Sequence, residues 1–183
     1  DPSCSPGTTV LLQFNTGSAY SWGAALWDGN QKQLAARLDE LTGLKRGETA
    51  DLRKIEAGLL SVAGFYRGNG FLDFVMTPRP ELDDVRREVI YRVQLKEGEQ
   101  YRMGEFVCLI PPGPGACDGI KSQWKIRTGD LLDGAYFDQF QDGPFAEWKK
   151  RTASPGIVVN LGLGKDSAKH VANVLVFTPP PRQ

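Results

Sequence analysis

The sequence predicts an α+β fold made of two tandem units of order β-α-α-β-β, each a three-stranded mixed sheet with two helices on one face. Three observations carry this. First, the chain repeats itself. Gly17-x-x-Tyr20-x-x-Gly23 recurs without a gap as Gly98-x-x-Tyr101-x-x-Gly104, and after one extra residue Gly47, Asp51 and Ile55 match Gly129, Asp133 and Phe137. Second, the residues between the two signatures switch from helical to alternating periodicity. Third, 183 residues make one ordinary domain or two small ones, and the repeat selects two, residues 1–98 and 99–183.

Each element of the first unit can be read in order. Val10, Leu12 and Phe14 alternate as in a strand. This stretch, residues 9–15, is either the last strand of a preceding unit or an added strand of the first. Gly17 permits a turn, and a strand follows from Tyr20 to Trp27. Asp28-Gly29-Asn30 is a turn signal. Leu34, Leu38 and Leu41 give one apolar face to a helix over Gln31–Leu41, closed by Gly43. Thr49 is the expected N-cap of a second helix, Ala50–Arg67, with Asp51 in its first turn and Leu52, Ile55, Leu59, Val62 and Tyr66 as its stripe. Phe71–Thr77 reads as the second strand, Pro78–Asp84 as the hairpin connection, and Arg86–Leu95 as the return strand. Two helices reverse the chain twice, so the second strand runs against the first and the third runs with it. A central third strand leaves the second as an open edge.

The second unit is less regular. A strand is expected over Arg102–Ile110, a short helix near Ala116–Ile126, and a second helix from Ala135 to Trp148 broken at Gly143-Pro144. Ile157–Leu163 and Val171–Thr178 complete a hairpin. Cys108 and Cys117 flank a Pro/Gly-rich turn. They are either a disulfide, in an oxidising compartment, or two small buried side chains. Cys4 is left over.

Composition excludes several functions. Lys plus Arg and Asp plus Glu are both 22, so the formal charge of zero gives no footprint for nucleic acid or anionic lipid. No run approaches the roughly 18 apolar residues of a membrane helix. Asp1–Gly7 lacks the basic and apolar regions of a signal peptide, so an exported parent is expected here in mature form or as a piece. Three cysteines and one distant histidine offer no zinc-ligand spacing, and no cofactor is expected. Gly162-Leu163-Gly164-Lys165-Asp166-Ser167 imitates a phosphate loop, but Val159 stands where the first glycine is required and Asp166 replaces the Ser/Thr. A hairpin turn explains it better, and His170 beside it reads as a solvated turn residue. Asp83-Asp84 falls in a hairpin loop. Asp130 and Asp133 fall at a helix start, where capping accounts for them. Trp22, Trp27, Trp124 and Trp148 are read as core or inter-unit packing rather than a ligand cleft. No enzyme, nucleic-acid partner or small-molecule substrate is expected.

The motifs taken together resemble POTRA domains of the Omp85/BamA outer-membrane assembly family, the bacterial surface antigen repeat. Tyr66-x-x-x-Gly70-Phe71 is similar to their Y-x-x-x-G-[YF] signature, and Val93-Gln94-Leu95-Lys96-Glu97-Gly98-x-x-Tyr101-x-x-Gly104 is similar to their third strand, E-G turn and following strand. Leu41-x-Gly43-Leu44-x-x-Gly47 fits the link between their helices. The first copy departs in having Asn15-Thr16-Gly17 in place of Glu-Gly, and the second lacks a clean Y-x-x-x-G-[YF]. The resemblance implies a periplasmic client-binding scaffold, joined to a membrane barrel carboxy-terminal to this chain. It would receive unfolded outer-membrane protein clients and dock accessory envelope proteins. The alternative is a POTRA-like interaction module of another envelope protein, such as a division protein. Open edge strands offer unpaired backbone to an extended client, by β-augmentation. The expected binding residues are Leu72, Asp73, Phe74, Val75 and Met76 in the first unit, and Val158, Val159, Asn160 and Leu161 in the second.

Overall fold

A computed structural model describes residues 17–111, 114–152 and 158–179. The possible strand at 9–15, Ile157 and Cys4 lie outside them. The first unit runs β1 (Ser21–Asp28), α1 (Ala35–Thr42), α2 (Leu52–Gly68), β2 (Val75–Asp83) and β3 (Glu88–Lys96). The second runs β4 (Arg102–Leu109), a 3-10 turn (Pro114–Cys117), α3 (Asp118–Lys121), α4 (Gly134–Phe140), a π segment (Gln141–Phe145), α5 (Ala146–Thr152), β5 (Asn160–Asp166) and β6 (Val171–Phe177). The sheets have strand orders β1-β3-β2 and β4-β6-β5. In each, the last strand is central, parallel to the first and antiparallel to the second. Each sheet closes its own core. Tyr66, Val62, Leu38 and Val93 are fully buried in the first, and Phe140, Ile120, Leu132 and Val174 in the second. Among the described residues, no helix is long and apolar enough to cross a membrane.

The repeat is visible atom by atom. Trp22 donates its N–H to Glu48 and accepts from Gly47, and Met103 does the same with Asp130 and Gly129. Ala50 donates to Tyr20 as Leu132 does to Tyr101. Asp51 and Asp133 both cap the following helix, accepting from the Arg53 and Tyr136 N–H groups at 2.9 Å. The hairpin turns match as well. Asp83 accepts from Val85 and Arg86, Asp166 accepts from Ala168 and Lys169, and Arg87 and His170 share positive φ values of 53° and 51°. The signature glycines have distinct jobs. Gly17 and Gly98 hold φ values of 67° and 71° in the turn before the strand. Gly104 sits at a strand irregularity where a Cβ would come within 2.7 Å of the Val171 side chain.

Several expected boundaries shift. The first helix starts at Ala35, and Leu34 is 79% exposed because its extended backbone precedes the helix. Asp51 rather than Thr49 is the N-cap, since Thr49 bridges to Ser21 as an added rung of the sheet. Leu52 is exposed and outside the buried stripe. The second strand begins four residues late and runs through Pro78 and Pro80 to Asp83, so the expected connection is mostly strand. Likewise β5 continues to Asp166, into the expected turn. In the second unit the first helix is a 3-10 turn plus one α turn, and Cys108 and Cys117 are bridged with their Cα atoms 5.9 Å apart. The second helix breaks as a π segment at Pro144, whose missing N–H the wider turn accommodates. Asp130 turns the chain rather than capping a helix, accepting from the Arg127 N–H at 3.3 Å. The tryptophans share no cleft. Trp22 lies on Tyr91 in the first core, while Trp124 and Trp148 lie among Phe106, Phe140 and Phe145 in the second.

The two units meet at a built joint. Tyr101 donates its N–H to the Gly70 carbonyl at 2.8 Å and its hydroxyl to Asp73 at 2.6 Å. Lys165 pairs with the other oxygen of Asp73, and Arg67 grips both oxygens of Asp138 at 2.7 and 2.9 Å. Leu72 packs into the second core. The Asp73 carboxyl is held below the usual carboxylate range, first by the Lys165 bond and then by the Tyr101 bond. A depressed carboxyl contributes stability that is present above its unfolded value, near 3.8, and lost as pH falls through the folded value. The joint is therefore expected to hold from neutral pH down to about 4 and to loosen below it. Residual dipolar couplings of the two units, fitted to one alignment tensor, check this. Asp73→Asn should show the same loosening at neutral pH.

Candidate functional site

The candidate sites are the outer edges of the sheets, where backbone N–H and C=O groups have no strand beside them. The first strands are covered over their opening residues, β1 by residues 47–50 and β4 by 129–132, through the bonds described above. Among the described residues, no strand pairs with the outer sides of β2 and β5. These are the edges on which the two groups of expected binding residues were placed.

Only part of each group lies on its edge. Val75 and Met76 open β2, and Asn160 and Leu161 open β5. Leu72, Asp73 and Phe74 precede the strand and are otherwise engaged. Leu72 and Asp73 build the joint, and Phe74 stacks on Tyr66 at 4.1 Å between ring centroids. Apolar alternation alone could not separate these contacts from strand pairing. Val158 and Val159 precede β5, with Val159 packed against the second core and Val158 exposed.

The edges differ in chemistry. On β2, Pro78 and Pro80 lie opposite Val93 and Tyr91. Proline has no N–H to give to β3, so in this continuous ladder both must be positions whose nitrogen faces outward. The matching turns carry this alternation to the second unit, where Leu161 and Leu163 occupy the equivalent places. Leu161 is buried and Leu163 packs against the same core. On the opposite face of β5, Gly162 and Gly164 carry no side chains, and the β6 side chains of Phe177 and Leu175 lie over them. Beside β5 runs a groove of about 430 Å³ whose lining includes Asp142, Phe145, Ala146, Lys149, Leu161 and Phe177. The Lys149 ammonium lies 6.0 Å from the Phe145 ring centre. Phe145 and Lys149 were not expected as site residues. The π segment falls at the break expected at Gly143-Pro144, but a break alone does not say which side chains it turns toward β5. Among the described residues, no three His, Cys, Asp or Glu side chains gather as metal ligands.

The signature between the units also has a geometry. Tyr66 donates its hydroxyl to Glu97 at 2.6 Å, and the second Glu97 oxygen accepts the Lys32 N–H at 2.8 Å. Both side chains are buried, at 0% and 6% exposure. Tyr66, Phe71 and Glu97-Gly98 thus form one linked cluster tying the end of α2 to the exit from β3. Residues 20–98 match the family model described as POTRA, surface antigen variable number repeat. These residues are similar to a POTRA domain. The second unit repeats its strand order, its caps and its turn bonds, so the fold of the whole is a POTRA tandem. Solved structures agree on the fold. The POTRA3-5 region of BamA from Haemophilus influenzae superposes with a TM-score of 0.70 at 16% identity, covering 93% of this chain and 70% of that one. BamA from Haemophilus ducreyi lacking POTRA domains 1-3 superposes at 0.61 with 10% identity, covering 88% of this chain and 29% of that one. Among curated proteins, no sequence match is found.

Proposed function

We propose that this POTRA tandem is a periplasmic protein-interaction module of an Omp85-type outer-membrane assembly or secretion factor, divided into units at residues 98 and 99 and tethered through a barrel that follows it. It works by binding rather than catalysis, receiving an extended polypeptide as an added strand. One observation supports the reading most directly: the second strand of each unit lies at a sheet edge, and on β5 that edge adjoins a groove with apolar and charged walls. Main-chain pairing supplies affinity with little regard to sequence, while the groove favours apolar side chains at alternate positions. Clients of this chemistry are unfolded barrel strands.

The test is a titration of the isotope-labelled chain with a peptide of alternating apolar and polar residues, followed by NMR. Amide shifts are expected along an edge strand, and none with a proline-interrupted peptide of the same composition. Shifts scattered over the helices and both outer faces would refute pairing as the mode.

A further inference from the structure

The two edges are not equivalent, and we infer that only the second unit accepts a client strand while the first is closed by its own prolines. The inference rests on the pairing mode proposed above and assigns it to one place. Along β2 the outward-facing nitrogens belong to Met76, Pro78, Pro80 and Leu82, so the two central ones carry no hydrogen. An incoming strand would find its carbonyls facing proline rings at the middle of the ladder. The opposite face adds a charged cover, with the Arg92 Nε donating to Glu81 at 2.6 Å between β3 and β2. Prolines and charges on an edge strand are the usual means of refusing a partner strand.

On β5 the same positions are Leu161 and Leu163, and no proline occurs from Asn160 to Asp166. Every outward nitrogen there can donate. At Asn160 and Leu161, where β5 opens, the helix side of this edge is the groove of Phe145, Ala146 and Lys149, which places one wall beside that end of an added strand. On the other face Gly162 and Gly164 add no side chains of their own, and the Phe177 and Leu175 side chains of β6 lie over them, an apolar cover that reaches toward the edge. The partner that fits is one extended segment of alternating apolar and polar residues, with an apolar residue turned to the groove beside Leu161 and donors and acceptors spaced as in a β-strand.

The experiment exchanges the prolines within the full chain. Wild type should bind the alternating peptide with one-to-one stoichiometry, with shifts at 160–166 and none at 75–83. Leu163→Pro, with Leu161→Pro as a second variant and thermal melts to show folding, should weaken binding roughly tenfold or more, because the central pairing bonds of the edge are lost. Pro78→Leu combined with Pro80→Leu should create a second site and raise the stoichiometry to two. Binding at 75–83 in wild type, or a proline exchange that leaves the stoichiometry at one, overturns the assignment while leaving strand pairing intact. Absence of edge shifts in every variant defeats the pairing mode itself, and this inference with it.

Discussion

Tyr66→Ala is expected to cost about 3–5 kcal/mol of folding stability, the range for removing a fully buried aromatic side chain. The site offers little room to relax. The ring stacks on Phe74 and meets Phe71 edge-on at 5.4 Å, so its loss unpacks the whole exit of α2. Tyr66→Phe separates packing from hydrogen bonding. It keeps the ring but leaves the buried Glu97 carboxylate with the Lys32 N–H and no hydroxyl, a loss of about 1–3 kcal/mol. Burial first, and the Glu97 bond second, push the Tyr66 hydroxyl well above its ordinary pKa. It therefore remains a donor throughout the neutral range, and the effect should not change between pH 6 and 8. Urea unfolding followed by tryptophan fluorescence measures both variants. A phenylalanine variant as stable as wild type would show that the hydroxyl contributes nothing.

Gly134→Leu should part the two units and draw Leu72 away from the second core, while sparing the first. A Cβ at Gly134 would stand 3.1 Å from the Leu72 side chain and 3.2 Å from the Arg67 carbonyl, at the first turn of α4 and in the middle of the joint. The backbone carbonyl cannot move without shifting the end of α2, so a full leucine pushes the units apart. Overpacking of this kind costs about 1–3 kcal/mol. The equivalent residue in the first unit is Leu52, which is exposed, so leucine is compatible with the unit itself and only the contact forbids it. The expected readout is a longer maximum dimension in solution scattering, together with loss of the single alignment tensor. Amide shifts inside the first core should stay in place, and those in the second should change only around the seat of Leu72. An unchanged scattering profile would show that the joint yields locally and that Gly134 is not its tight point.

The strand order and the doubling of the unit were legible in the sequence because both rest on long periodic segments. The repeat of Gly17, Tyr20 and Gly23 in Gly98, Tyr101 and Gly104 reports a shared turn and a shared sheet irregularity, and such features demand particular residues. Boundaries were less legible where a residue serves tertiary structure rather than its own segment. Leu72 and Phe74 alternate like strand residues, yet one fills the next unit's core and the other stacks on a tyrosine. Pro78 and Pro80 looked like a connection, because proline opposes strand in an interior position. On an edge it does not, since the nitrogen that lacks a proton points away from the ladder. The groove beside β5 was hidden for a different reason: its wall depends on the π segment, a change in helix winding that hydrophobic spacing does not encode.

The Cys108–Cys117 bond sets the halves apart in one more respect. The first unit fills the space between its opening strand and long helix with an eight-residue helix. The second has only a 3-10 turn and four helical residues there, and a covalent clasp secures them to the strand. A clasp of this kind contributes roughly 2–4 kcal/mol, mainly by narrowing the unfolded ensemble. Redox conditions thus act directly on the second unit, which holds the Cys108–Cys117 bond, and not on the disulfide-free fold described for the first. Under reduction, the second unit is the one expected to lose stability first.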